Sequence, residues 1–176
     1  MNLVMPDIQL VEVFLGDLKN LQEISRRTFY QSFAAVNRPE NMKFFLDHHY
    51  SDEKLSSEIQ NPDSRFFFAQ TGEEILGYLK LNLGRAQTVL PNDEGLEIER
   101  IYIDQSNKGR GIGQFFIERT LTLAKEVNAR YIWLGVWENN PAAIRFYEKN
   151  GFRPFSKHIF KLGDDEQTDL LMKRDL

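Results

Sequence analysis

The chain has 176 residues, 41% of them apolar, and these values fit a single compact domain spanning residues 1–176. It contains 22 Lys and Arg against 26 Asp and Glu, a formal charge of −4. This balance suits a cationic small molecule and disfavours nucleic acid as a partner, because nucleic-acid affinity depends on phosphate contacts. Cysteine is absent, which excludes disulfides, thiolate metal sites and cysteine nucleophiles and suits a reducing compartment.

The first half of the chain predicts one strand, three helices and a hairpin. Residues 1–10 lack the basic start and apolar run of a signal peptide. No stretch approaches the roughly 20 apolar residues of a membrane helix, so we expect a cytoplasmic protein without a membrane partner. The predicted elements are a strand at 8–14, helices beginning near Asp17, Pro39 and Ser51, and hairpin strands at 65–70 and 75–83 around a Thr71-Gly72 turn.

The second half alternates strands with helices after a polar loop. The predicted elements are a loop at 85–95, a strand at 96–103, a helix at 111–127, a strand at 131–137, a helix at 140–150, and strands at 152–162 and 168–172. Two strand–helix–strand stretches imply a partly parallel sheet, whereas the earlier hairpin implies antiparallel pairing. The fold class is therefore mixed, with both α/β and α+β character.

A glycine-rich loop, Lys108-Gly109-Arg110-Gly111-Ile112-Gly113, follows a strand and opens a helix. Glycines permit a tight turn or close approach of backbone to a ligand, and the free N–H groups of a first helical turn favour a pyrophosphate. The spacing fits neither a Walker loop nor a dinucleotide fingerprint. A strand-to-helix turn without a ligand remains the alternative.

A second segment, Asn140 to Phe152, predicts a helix that Asn140 caps and that ends at a left-handed Gly151. Tyr147 shares a face with Ala143 and Ile144, so an ordinary core tyrosine is the alternative to a functional one. Taken together and in this order, the strand 96–103, the glycine loop and the segment with Asn140, Tyr147 and Gly151-Phe152 resemble the GNAT superfamily of N-acetyltransferases. The resemblance covers about residues 65–172; Lys108 stands where the family usually has Gln or Arg.

A finer resemblance runs over nearly the whole chain. Residues 39–43, 96–103, 132–138 and 163–170 look like the PaiA-type spermidine/spermine acetyltransferases. The resemblance implies a GNAT fold: a mostly antiparallel sheet of about seven strands, splayed between strands 4 and 5 and flanked by helices. It also implies acetyl-CoA as cosubstrate, no metal, and a small polyamine or another small primary amine as acceptor. A homodimer is compatible with it.

By resemblance, acetyl-CoA is bound by three groups of residues. They are the strand backbone at Ile101, Tyr102 and Ile103, the loop residues Lys108, Gly109, Arg110, Gly111, Ile112 and Gly113, and the helix residues Asn140, Phe146 and Lys149. Capping explains Asn140 equally well.

Acetyl transfer to an amine needs a neutral nucleophile, because a free alkylammonium has a pKa near ~10.4. Glu99 and Glu97 are the candidate proton acceptors, with Glu99 placed first; they share a strand face unless a bulge separates them. Tyr147 is the candidate acid for the thiolate, since a phenol near pKa ~10 can hydrogen-bond a thiolate near ~8.5.

Aromatic side chains are the candidate amine contacts, since their faces attract cations. Tyr30, Phe33 and Trp137 are chosen, with Phe29 and Trp133 considered beside them and core packing as the alternative. Adjacent His48 and His49 point about 100° apart on a helix, which argues against a metal site. A GNAT enzyme for another amine, or a regulator that senses acetyl-CoA, are the competing functions.

Overall fold

A seven-stranded sheet runs through the computed structural model, which describes residues 7–176. Its strands are β1 (Gln9–Glu12), β2 (Ser64–Thr71), β3 (Glu74–Gly84), β4 (Asn92–Ile103), β5 (Tyr131–Trp137), β6 (Arg153–Leu162) and β7 (Asp165–Asp175). Their order is β1-β2-β3-β4-β5-β7-β6, and β4 with β5 is the one parallel pair among them. The predicted mixed, mostly antiparallel sheet is confirmed. The prediction that residues 1–10 are not a signal peptide rests largely on residues 1–6, which lie outside the described residues.

Between residues 7 and 176, five α-helices cover the two faces of the sheet: α1 (Leu18–Phe33), α2 (Pro39–His49), α3 (Asp52–Gln60), α4 (Ile112–Glu126) and α5 (Pro141–Lys149). Their starts follow local chemistry. The Ser51 hydroxyl accepts from the Lys54 N–H at 3.1 Å, and Asn140 caps α5 in the same way. Asp17 precedes α1 as predicted, but its carboxylate accepts from the Phe14 N–H at 2.9 Å and so closes the preceding 3-10 turn. None of these helices, within residues 7–176, is long and apolar enough to cross a membrane.

Several strand bounds differ from the prediction. β4 begins at Asn92, inside the predicted loop 85–95, because Asn92 pairs with Gly84 and its side-chain oxygen accepts from two following backbone N–H groups. β1 is shorter than predicted, and β7 extends beyond the predicted 168–172 at both ends, since it pairs with a neighbour on each side.

The second strand–helix–strand stretch gives no parallel pair. β7 inserts between β5 and β6 and is antiparallel to both, so β6 has the direction of β5 without pairing with it. Parallel pairing is thus confined to β4 and β5.

The β4–β5 pair separates partway along its length. Its register runs from Gly95 opposite Tyr131 to Ile98 opposite Leu134, and no pairing follows, although both strands continue. One apolar core packs beneath α4 and α5, and another beneath α1, α2 and α3. The predicted splay between strands 4 and 5 therefore opens between two packed layers.

Candidate active site

Two cavities meet where β4 and β5 separate. An open groove of about 490 Å³ is lined by Ile101, Ile103, Lys108, Val136, Asn140 and Tyr147, among others. A second cavity of about 290 Å³ lies beneath α1 and α2 and reaches Trp133 and Asp169. Both are lined by Ile98, Glu99, Tyr102 and Gly135. A ligand in the groove and another in the second cavity would therefore meet at these four residues.

The free edge of β4 forms one wall of the groove. Residues 101–103 pair with Gly77, Tyr78 and Leu79 of β3 on one side and have no strand partner toward β5. An unpaired strand edge offers N–H and C=O groups to an amide-rich ligand, as in strand addition. Ile101, Tyr102 and Ile103, the strand residues predicted to bind the cosubstrate, all line the groove.

The glycine loop has the backbone geometry that only glycine adopts readily. Gly109 and Gly111 have φ of 78° and 80°, and Gly111 is the N-cap of α4. A Cβ on Gly113 would lie 3.2 Å from the Phe146 ring, so glycine allows α4 to pack closely against α5. The Ile112 side chain is buried in the core, and only its backbone is available at the helix start.

The charged side chains of the loop have different positions. Lys108 lines the groove, whereas the Arg110 guanidinium donates to the Asn107 side-chain oxygen. Together with the dipole of the fifteen-residue α4, they make the loop electropositive. This suits a phosphate-bearing ligand in the groove.

Helix α5 places Tyr147 in the groove. Tyr147 is 8% exposed, and burial raises the pKa of its phenol above the ordinary value. Asn140 lines the groove while its side-chain oxygen accepts from the Ala143 N–H at 3.2 Å, so capping occupies that oxygen. Lys149 is exposed and does not line the groove.

Glu99 lies at a β-bulge where β3 and β4 change register. Lys80 pairs with Arg100 and Leu81 with Ile98, which leaves Glu99 as the extra residue. Its carboxylate lies 2.5 Å from the Lys80 Nζ and 3.3 Å from the Arg100 guanidinium. Burial raises the pKa of Glu99, but Arg100 and Lys80 outweigh burial and lower it to about 2.

Glu97 is 3% exposed and lines the second cavity. The Thr88 backbone N–H donates to it at 2.9 Å, the Thr88 hydroxyl also donates, and Asn82 Nδ2 donates at 3.0 Å. Burial raises the pKa of Glu97, against the effect of these hydrogen bonds. Asn82 Nδ2 also donates to Glu99 at 2.6 Å, so the bulge does not part the two carboxylates.

The aromatic candidates divide between the two cavities. Phe29 and Trp133 line the second cavity, whereas Phe33 and Trp137 line the groove with ring centroids 6.4 Å apart. Tyr30 is 58% exposed and faces a separate surface depression, so the structure does not bring it to either cavity. Since Phe29 is buried, the next residue on the helix, about 100° away, points outward.

Sequence reasoning missed Asp169, Thr88 and Asn82, which lie at the second cavity or hydrogen-bond its carboxylates. Thr88 falls in the predicted polar loop, where nothing marks one residue over another. Asp169 has a detectable signal in the sequence, because this carboxylate lies within a predicted strand and directly precedes the apolar run Leu170, Leu171 and Met172. No group of three or more potential metal-ligating side chains occurs among residues 7–176.

Comparison with known proteins identifies the family. Residues 19–152 match the acetyltransferase (GNAT) family. An N-acetyltransferase of the pepI 3′ region of Lactobacillus delbrueckii subsp. lactis is 42% identical over 98% of this chain and 99% of its own length. A spermidine N(1)-acetyltransferase of Thermoplasma acidophilum is 24% identical over 95% of this chain and 96% of its own.

The fold is shared with solved structures. The PaiA N-acetyltransferase from Thermoplasma acidophilum, determined in complex with coenzyme A, superposes with a TM-score of 0.79 over 97% of this chain and 99% of its own, at 22% identity. The family match spans the strand edge, the glycine loop and Tyr147. The chain therefore belongs to the GNAT family of acetyltransferases.

Proposed function

We propose that this acetyltransferase transfers the acetyl group of acetyl-CoA directly to a primary amine of a small polyamine. The observation that supports direct transfer is the junction of the two cavities at Ile98, Glu99, Tyr102 and Gly135. A cosubstrate in the groove and an amine in the second cavity would come together there, so that the amine could attack the thioester carbonyl directly.

The groove would hold acetyl-CoA through the backbone of residues 101–103 and the glycine loop. The α4 N-terminus and Lys108 would face the pyrophosphate, and the free edge of β4 would pair with the pantetheine amides. Bound acetyl-CoA supplies an activated thioester. A backbone N–H at the Ile103 edge would donate to the developing oxyanion.

Charge and aromatic lining support a cationic acceptor. The second cavity contains Glu97, Glu99 and Asp169 beside Phe29, Tyr102 and Trp133. Carboxylates and aromatic faces both attract ammonium groups. The similarity to a spermidine N(1)-acetyltransferase points to polyamines within this class.

Glu97 is the proton acceptor in this proposal, and Glu99 orients the ammonium. A carboxylate whose pKa is about 2 is a weak base, whereas burial makes Glu97 a stronger one. A water between the amine and Glu97 would pass the proton.

Glu97→Gln should lower kcat/KM for the amine by roughly 10²-fold, within the range for loss of a general base. In the wild type, kcat/KM should rise with pH through the raised pKa of Glu97, because the base acts only when ionised. In the Glu97→Gln variant, the fall of kcat/KM at low pH that reflects protonation of Glu97 should disappear. The matched control is Glu94→Gln, which removes an exposed carboxylate from the same strand. If kcat/KM of Glu97→Gln still fell at low pH as in the wild type, a group other than Glu97 would be the general base.

Thiol release from acetyl-CoA tests the function itself. Spermidine and spermine are compared with lysine, an N-terminal peptide and an aminoglycoside at equal concentration. Faster turnover of the polyamines is expected because the second cavity is acidic and aromatic. Turnover of the peptide or aminoglycoside alone would contradict the polyamine assignment.

A further inference from the structure

Asp169 is a carboxylate for which the described part of the chain supplies no partner. It lies on β7 opposite Trp137 of β5 and His158 of β6, is partly buried, and lines the second cavity. Neither a side-chain hydrogen bond nor an ion pair to it occurs within residues 7–176. Burial raises its pKa, and only the charge of His158 acts in the opposite direction.

Three basic side chains line the cavity besides the acidic ones, and none of them forms an ion pair with Asp169: Arg100, His49 and His158. Arg100 forms a two-point contact with Glu58 at 2.8 and 3.0 Å and also approaches Glu99. Burial and the nearby cations lower the pKa of His49, so it is neutral near pH 7. His158 is exposed. An ionised carboxylate in a partly enclosed cavity costs free energy unless a cation offsets it, so this position fits a cationic ligand.

Gly135 brings this carboxylate close to the junction of the cavities. A Cβ built on Gly135 would lie 3.3 Å from Asp169 Oδ2, so the missing side chain leaves room for the carboxylate. Gly135 itself lines both cavities. A ligand that reaches Asp169 therefore remains within reach of the reacting position.

Asp169 and Glu97 stand on opposite walls of the cavity. β4 and β7 flank β5, on which Glu97 lies opposite Trp133 and Asp169 opposite Trp137. Their backbones are therefore about 10 Å apart across the sheet and about 13 Å apart along it. The same cavity is also lined by the aromatic rings of Phe29, Tyr102 and Trp133. The Asp169 carboxylate lies beside Gly135, midway between Trp133 and Trp137 on β5, so an alkyl chain with a nitrogen at each end can extend from Asp169 toward Glu97 across these rings.

We propose that Asp169 is a specificity-determining residue that binds the second ammonium group of a diamine or polyamine whose first nitrogen is acetylated. This inference rests on the proposed function. Asp169 contributes to substrate choice and takes no part in the transfer of the acetyl group. Monoamines lack the second nitrogen, so Asp169 does not contribute to their binding.

Putrescine and n-butylamine test the inference, because they share a four-carbon chain and differ in the distal ammonium. The wild type should prefer putrescine, and spermidine over both. Asp169→Asn should lower kcat/KM for putrescine by about 10- to 100-fold, the effect of losing a charge-assisted hydrogen bond, and change that for n-butylamine by less than about threefold. Asp169→Glu should restore part of the preference.

Asp175→Asn is the matched control, since Asp175 lies exposed at the far end of the same strand. Equal losses for both amines in Asp169→Asn, or no loss for either, would overturn the inference while leaving the proposed function intact. Wild-type protein that acetylates neither these amines nor spermidine would refute the proposed function and the inference with it.

Discussion

Replacement of Tyr147 by Phe should lower kcat by roughly 10²-fold or more, within the range for loss of a positioned acid. Tyr147 lines the groove beside the junction, and burial raises the pKa of its phenol, which stays protonated throughout the neutral range. A protonated phenol can donate to the sulfur as the carbon–sulfur bond breaks. Thiol release measured at saturating acetyl-CoA and amine gives kcat directly.

Folding should be little affected by this change. Burial alone raises the pKa of Tyr147, and no hydrogen bond within the described residues contributes to the shift. Removal of the Tyr147 hydroxyl therefore leaves no buried hydrogen-bond partner unsatisfied. Tyr131→Phe is the matched control, because the Tyr131 hydroxyl lies at the far end of β5, where it accepts from Asn92 Nδ2 at 2.9 Å. If Tyr147→Phe turned over as fast as the wild type and Tyr131→Phe, the leaving thiolate would not depend on this phenol.

Local chemistry explains why the fold could be predicted in outline. Asn140 and Gly151 bound α5 because a capping side chain and a left-handed glycine act on neighbouring residues, and the observed φ of Gly151 is 84°. The glycine loop leads into α4 for a similar local reason, since Gly111 is the N-cap of that helix with a φ of 80°. Strand order was less accessible, since the insertion of β7 between β5 and β6 depends on pairing across the whole sheet.

The candidate site was predictable where one motif contains it and not where distant segments converge. Tyr147, Glu97 and Glu99 all belong to motifs and all reach the cavities. The surroundings that distinguish Glu97 from Glu99 come from other segments. Thr88 reaches Glu97 from a loop, and Lys80 reaches Glu99 from β3 through a bulge that periodicity does not reveal.

The Glu99 surroundings predict the largest effect on stability. Glu58, Lys80, Glu99 and Arg100 form a buried network in which each side chain is between 5% and 19% exposed. Two acidic groups balance two basic ones. Removing one charge from such a network leaves an uncompensated buried charge, which costs more than the pair itself contributes.

Glu99→Gln should therefore lower the free energy of unfolding at pH 7 by about 3 kcal/mol, at the lower end for a broken buried pair because Glu58 still faces both cations. The pKa of Glu99 is about 2 in the folded state and about 4.3 when unfolded. The folded state thus favours the ionised carboxylate. Its contribution is complete above pH ~4.3 and disappears as the pH falls toward 2, so the variant and the wild type should converge in acid.

Urea denaturation at pH 7 and at successively lower pH measures both parts of this prediction. Glu94→Gln is the control, because Glu94 pairs with Arg130 at 2.8 Å while both side chains are more than half exposed, and it should change the free energy by less than about 1 kcal/mol. A Glu99→Gln variant as stable as the control would mean that Glu58 and solvent are sufficient to stabilise the charges of Lys80 and Arg100 without Glu99. In that case Glu99 would be free to act as a base, and the division of roles between Glu97 and Glu99 would have to be reversed.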